Sequence, residues 1–211
     1  MSTVTIAIPT IPGREALLER AARSAQCQLR PADAILVERD EHRSGAAAAR
    51  NRLLELVDTE WIAWLDDDDE LLSNHLRALL DAAEASGADL VYPRPVLLPL
   101  GTTDPTATRT PSGFWATPPW GIQFGPLQVK QLRHESNFIP VTYLVRTEMA
   151  RKAGGFPEPY SEDWPRDCED WGHLVRLLDA GARFHHHDEP TWLWHHHDHH
   201  TAGHGASEED R

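Results

Sequence analysis

The chain has 211 residues, 40% of them hydrophobic and 25% charged, which is enough to bury a full core as one domain or as one domain with a tail. A formal net charge of -13 excludes an electrostatic nucleic-acid binder, and it means that an anionic ligand has to be held through a divalent cation or a local arginine cluster. Cys27 and Cys168 stand alone without C-x-x-C spacing, no apolar run approaches the ~20 residues that cross a bilayer, and the N-terminus lacks a basic segment followed by a long apolar one; a soluble, cytoplasmic protein with free thiols is the expectation.

The first half alternates strand and helix patterns. "VTIAIP" (Val4 to Pro9) is a β-branched run stopped by Pro9 and Pro12, and the helix pattern after it places Leu17, Leu18, Ala21 and Ala25 on one face. "AILVE" (Ala34 to Glu38) is the second strand, followed by a helix with Ser44 as its N-cap and Leu53, Leu54 and Val57 as its apolar face. "WIAWL" (Trp61 to Leu65) is the third strand and runs into Asp66, Asp67, Asp68 and Asp69. A helix with Ser73 as N-cap, a stripe of Leu76, Leu79, Leu80 and Ala83, and Gly87 as terminator comes next, then a fourth strand, "DLVYP" (Asp89 to Pro93). This alternation predicts an α/β fold, a mostly parallel sheet flanked by helices, with ligands outside the C-terminal strand ends.

Between Pro93 and Glu135 the pattern gives way to Pro, Gly and Thr interleaved with Phe114, Trp115, Trp120 and Phe124, an aromatic content that suggests a loop packing over a site rather than a solvated linker. Regularity returns with "VTYLVR" as a strand, a short helix ended by Gly154 and Gly155, a helix from Glu169 to Ala180, and "TWLWHHH" as the last strand. The expected organisation is one domain over residues 1–200, comprising a first half (1–92), a lid-like loop (93–135) and a second half (136–200), with a mobile tail at 201–211.

Four adjacent carboxylates repel one another and raise each other's pKa unless a cation neutralises them. Hard oxygen donors suit Mn2+ or Mg2+, which bind through one or two carboxylates and keep other positions for water and phosphate. The plain structural reading is an acidic turn capping the following helix, for which Asp69 and Glu70 stand in the right place.

Five stretches, "VTIAIPTIPGRE", "AILVERDEHRSGAAAARN", "WIAWLDDDDEL", "YLVRTEMARKAGGF" and "EDWGHLVRLLDAG", together resemble, in order, the family-2 glycosyltransferases with the GT-A fold, from Val4 to His197. The resemblance implies a nucleotide-sugar-dependent transferase. It makes Asp66 and Asp68 the ends of an Asp-x-Asp metal motif, with Asp67 reaching the donor's ribose or sugar. Pro9, Thr10 and Arg14 match the turn lying against the nucleotide base; Glu38 or Asp40 supplies the acid that contacts it, and either of the two fits. Arg43 and Arg50 fall in the segment that faces the nucleotide, with surface ion pairing as the plain alternative. A UDP-sugar is the favoured donor. The acceptor, a glycan, a small molecule or a protein, is not legible.

In the family's inverting mechanism a carboxylate of a Glu-Asp pair takes the acceptor's proton. Two such pairs occur, Glu162-Asp163 and Glu169-Asp170. Only the second precedes an amphipathic helix, with Leu174, Leu177 and Leu178 as its stripe, so Asp170 is the expected base with Glu169 beside it; helix capping is the plain alternative. The family's third metal ligand, a histidine after the last strand, falls on His197 or, second, on His195. Rival readings are a nucleotidyltransferase, for which "TIPGRE" is a poor phosphate loop, and a non-catalytic sugar- or metal-binding module built on the histidines.

Overall fold

A computed structural model describes residues 2–98, 125–158 and 168–195. Seven strands form one sheet in the order β2-β1-β3-β6-β5-β7-β4. They are β1 (Val4–Thr10), β2 (Ala34–Arg39), β3 (Trp61–Trp64), β4 (Glu70–Leu71), β5 (Leu90–Leu98), β6 (Leu144–Arg146) and β7 (Phe184–His195). β1 pairs in parallel with β2 and β3, and β5 with β7, whereas β6 runs antiparallel between β3 and β5, and β4 runs antiparallel on β7. β2, β1, β3, β5 and β7 therefore point one way, and the expected mostly parallel α/β sheet is present with two reversed strands in it.

The helices are α1 (Glu15–Gln26), α2 (Ala46–Leu56), α3 (His75–Ser86), α4 (Val129–His134), α5 (Thr147–Lys152) and α6 (Glu169–Asp179). β1 is buried almost throughout because both its faces are covered, as a central parallel strand requires. Val4, Ile6 and Ile8 meet Ala21 and Ala25 of α1 and Leu76, Leu79 and Ala83 of α3 on one face. Ala7 belongs to the other core, with Leu53 and Leu54 of α2, Ala150 of α5 and Leu174 and Leu177 of α6.

Several boundaries differ from expectation. α2 is capped by Gly45 at φ 100°, and the Ser44 hydroxyl instead donates to Asp40 at 2.7 Å. α3 starts after Asn74 rather than Ser73, while Gly87 ends it in the left-handed conformation as the sequence suggests. β5 continues past Pro93 to Leu98, because register shifts around Arg94 and Pro95 let a proline-bearing strand keep its parallel partner β7. β7 itself begins at Phe184, so His185, His186 and His187 are strand residues. α4 lies at the end of the segment expected to be irregular. The aromatic group Phe114, Trp115, Trp120 and Phe124, the Glu162-Asp163 pair and the 201–211 tail lie outside the described residues. No described helix is long and apolar enough to cross a membrane.

The turn after α5 is fastened to α2. Asn51 on α2 accepts the Phe156 N–H at 2.8 Å and donates to the Phe156 carbonyl at 2.9 Å, which anchors Phe156 edge-on to Trp64. Gly155, at φ 66°, lets this happen: a Cβ there would stand 2.5 Å from Asn51 Oδ1. Gly155→Ala is expected to cost about 2–4 kcal/mol, the sum of left-handed strain and overpacking, read as a lower urea midpoint.

Candidate active site

The C-terminal ends of β1 and β3 and the start of α6 open onto a cleft of about 460 Å³. Past β3 the chain turns tightly, the Asp69 N–H donating to the Asp66 carbonyl at 3.1 Å. The turn sends the four carboxylates to different partners. Asp66 accepts from Arg50 Nη2 at 2.6 Å. Asp67 accepts the Thr10 hydroxyl at 2.5 Å and is gripped by Arg14 through Nε and Nη2. Asp68 shares Arg14 at 2.6 Å, and its carbonyl accepts from Arg20. Asp69 is buried and accepts the His195 backbone N–H at 3.0 Å.

Carboxylate oxygens of Asp66, Asp68 and Asp69 lie within 4.8 Å of one another. Burial raises the pKa of Asp69 well above the usual range, and the charges of Asp68 and Asp66 raise it further. Asp66 is raised too, by burial first, with Arg50 opposing. At such separations each like-charge pair costs about 4 kcal/mol at an effective dielectric near 20, so this trio is built to gain from a cation. The donor set, all carboxylate oxygen, fits Mg2+ or Mn2+. Asp69 and Glu70 do not cap α3, which begins at His75; Glu70 is in β4 and faces His195 Nε2 at 2.8 Å. His195 thus borders the cleft with Nε2 paired to Glu70, and His197 lies outside the described residues.

The facing wall comes from α2, α6 and the segment before β6. Arg50 is buried under the cleft, donating Nη1 to Glu169 at 2.7 Å as well as Nη2 to Asp66, with its guanidinium 5.4 Å from the centre of the Phe156 ring. A cation so paired holds the turn after β3 and the start of α6 in one arrangement, Arg50 and Glu169 lying 119 residues apart in sequence. Asp170 has one oxygen engaged: Oδ1 accepts the Trp171 N–H and the Cys168 thiol, each at 2.7 Å. Among the described residues, Oδ2 accepts only the longer bond from Asn137 Nδ2, 3.1 Å. Burial raises the Asp170 pKa, and the Glu169 charge raises it further.

On the side of β1 and β2, Pro9, Thr10, Asp40 and Arg43 border the cleft, Arg43 at φ 51°. Glu38 pairs with Arg52 at 2.6 Å and is not part of the lining, so of the two acids at the end of β2 only Asp40 borders the cleft. Asp40 is itself engaged by Ser44, the Gly45 N–H and Arg52; burial opposes its ionisation, and these hydrogen bonds outweigh it and bring the pKa to about 2.

The sequence model described as "Glycosyl transferase family 2" matches residues 15–152. The chain belongs to this family. No curated protein matches it. Among solved structures, S. aureus TarS 1–349 in complex with UDP-GlcNAc aligns with a TM-score of 0.66 at 14% identity, over 94% of this chain and 60% of that one. Mannosyltransferase PcManGT from Pyrobaculum calidifontis, in complex with GDP-Man and Mn2+, aligns at 0.59 and 16% identity, over 92% and 56%. The chain therefore spans well under two thirds of either neighbour, and at these identities what it shares with them is the GT-A fold.

In this family-2 chain the structure brings together Pro9, Thr10, Arg14, Asp40, Arg43, Arg50, Asp66, Asp67, Asp68, Glu169, Asp170 and His195 around one cleft. It adds Asp69 and Cys168 to that lining, and Asn137 against Asp170, none of which the sequence reading placed in the site. Asn137 carried no signal at all, since it falls between the irregular stretch ending at Glu135 and the strand pattern beginning at Val141. Arg50→Met is expected to lower stability by about 3 kcal/mol, the low end for a broken buried pair, because it leaves the partly buried Asp66 and Glu169 without their partner. Denaturant unfolding reads it, with the deficit shrinking at low pH as Asp66 takes a proton.

Proposed function

We propose that this family-2 chain is a divalent-cation-dependent, inverting glycosyltransferase that moves a sugar from a nucleoside-diphosphate donor, by preference a UDP-sugar, to an acceptor hydroxyl. The observation that carries it is the joining of the Asp66, Asp68 and Asp69 trio and the Asp170 carboxylate in one cleft. Seven carboxylates (Asp40, Asp66, Asp67, Asp68, Asp69, Glu169, Asp170) face three guanidiniums (Arg14, Arg43, Arg50) there, so a diphosphate needs a cation to enter. The fold shared with proteins solved with UDP-GlcNAc and with GDP-Man and Mn2+ supports the same donor class.

Asp66, Asp68 and Asp69 would hold the cation, which when bound offsets the charge that develops on the departing diphosphate. Thr10 and Arg14 keep Asp67 out of that trio and make it part of the cleft's frame. Asp170 takes the acceptor's proton on Oδ2, the oxygen with spare lone-pair capacity, and its raised pKa makes it a stronger base than a free aspartate. Residues 1–92 serve the donor in this reading, and residues 136–200 serve the acceptor and the base.

A panel of UDP- and GDP-sugars with Mn2+, assayed for nucleoside diphosphate release, tests it. Release from at least one donor, abolished by EDTA, is the expected result. Binding of every nucleotide without turnover, under all acceptors tried, would favour the non-catalytic module.

A further inference from the structure

Arg14 stands at the N-cap of α1 with its carbonyl accepting the Leu18 N–H at 3.0 Å, so its side chain, which borders the cleft, is the part that can move. The guanidinium spans two of the four aspartates. Nε donates to both oxygens of Asp67, at 3.0 and 2.9 Å, and Nη2 donates to Asp67 Oδ1 at 2.7 Å and to Asp68 Oδ2 at 2.6 Å. The two carboxylates hold it unequally. Asp67, with a side chain 7% exposed, takes three of these four contacts and accepts the Thr10 hydroxyl as well; Asp68, 25% exposed, takes one. Arg14 is thus anchored on Asp67 and leans on Asp68. Arg50 makes the same kind of contact to Asp66, but it is buried and tied to Glu169 besides, so it cannot withdraw.

Resting on the cation-dependent reading above, we infer that Arg14 is a resident counter-ion: it holds Asp68 while the trio has no divalent cation, and it gives Asp68 up when one binds. The contact spares the turn one of its like-charge repulsions in the meantime. A cation seated about 2.1 Å from Asp68 Oδ2 meets the positive guanidinium at close range, and like charges in a part-buried site repel strongly. An arginine stays charged at any working pH, so loss of a proton does not resolve the conflict. Movement does. Asp67 retains the guanidinium through Nε while Nη2 turns from Asp68 towards the cleft, where the negative charge of a nucleoside diphosphate draws it. Asp67 is in this way the pivot for Arg14. The trio therefore binds a cation less tightly than three unengaged carboxylates would, and cation and nucleotide each raise the other's affinity.

The test is a Mn2+ titration of the full chain, with unbound Mn2+ read by electron paramagnetic resonance, first without nucleotide and then with saturating UDP. Arg14→Met is expected to tighten Mn2+ about tenfold without nucleotide, and by less than about twofold when Asp68→Asn has already removed the shared oxygen's charge. UDP should raise Mn2+ affinity by a larger factor in the native chain than in Arg14→Met. Arg14→Gln, which keeps a donor for Asp67, carries the same expectations should Arg14→Met not fold. Mn2+ affinity that both Arg14 variants leave unchanged or weaken, where Asp68→Asn still weakens it, overturns the counter-ion and spares the cation site. Equal tightening with and without Asp68 overturns it too, since a general charge effect needs no shared oxygen. Mn2+ binding indifferent to Asp68→Asn defeats the cation reading and this inference together, whereas the expected Mn2+ pattern in a chain that turns over no donor upholds the counter-ion and defeats the transferase.

Discussion

Asp170→Asn is expected to lower transfer by about 10²–10⁴-fold while leaving UDP affinity with Mn2+ within about twofold, because a general base acts on the acceptor's proton and contributes little to binding the nucleotide. The geometry keeps most of the hydrogen bonds to this side chain in the variant. Trp171 N–H and the Cys168 thiol can still donate to an asparagine oxygen, and the substitution removes the basicity at Oδ2 together with the longer bond from Asn137 Nδ2. The pH dependence follows from the raised pKa: transfer by the native chain falls as pH drops through that value, and the asparagine variant loses this acid limb. Stability moves the other way. Between the ordinary aspartate value and the raised one the folded state holds more protons than the unfolded state, so the Asp170 contribution to stability declines as pH rises through that window. Asp163→Asn, at the other Glu-Asp pair, should retain most activity, and the opposite pattern for the two variants would move the base to Asp163.

Removal of the divalent cation is the second large effect. UDP affinity measured by calorimetry should fall at least about tenfold to a hundredfold between Mn2+ and EDTA, and Asp68→Asn should lose most of that difference, since even partners outside the ligand set are worth this much. Asp69→Asn should weaken Mn2+ in the same way while making the cation-free protein more resistant to denaturant at neutral pH, because it deletes a buried charge whose pKa is raised by burial and by Asp68 and Asp66. Protons compete with the cation for these oxygens, so Mn2+ affinity should climb with pH across the raised range. Equal UDP affinity in EDTA and in Mn2+ would remove the cation from the proposal and leave the arginines to hold the diphosphate.

Much of the fold was legible in the residues themselves. Period-two and period-3.6 apolar patterns are local properties of a chain, and they located β1, β2, β3 and helices α1, α2, α3 and α6. Gly87 as a left-handed helix end and a run of aspartates directly after a buried strand are equally local, since each needs only its neighbours to be read. The antiparallel insertion of β6 between β3 and β5 was not legible, because its three ladder residues carry no signal of which strands they join. The same holds inside the site. Asp67 is held by Arg14 across 53 positions of sequence, Asp170 by Asn137 across 33, and Asp69 by the His195 backbone across 126. Those pairings depend on how helices and strand ends pack, and packing is decided by the whole core. Composition and periodicity thus determined by themselves that acids would stand at a strand end. Only the tertiary structure decided that Asp69 joins Asp66 and Asp68, that Thr10 and Arg14 draw Asp67 away from them, and that a buried arginine ties the group to Glu169. A carboxylate's role is set by the charge and hydrogen bonds brought to it through space.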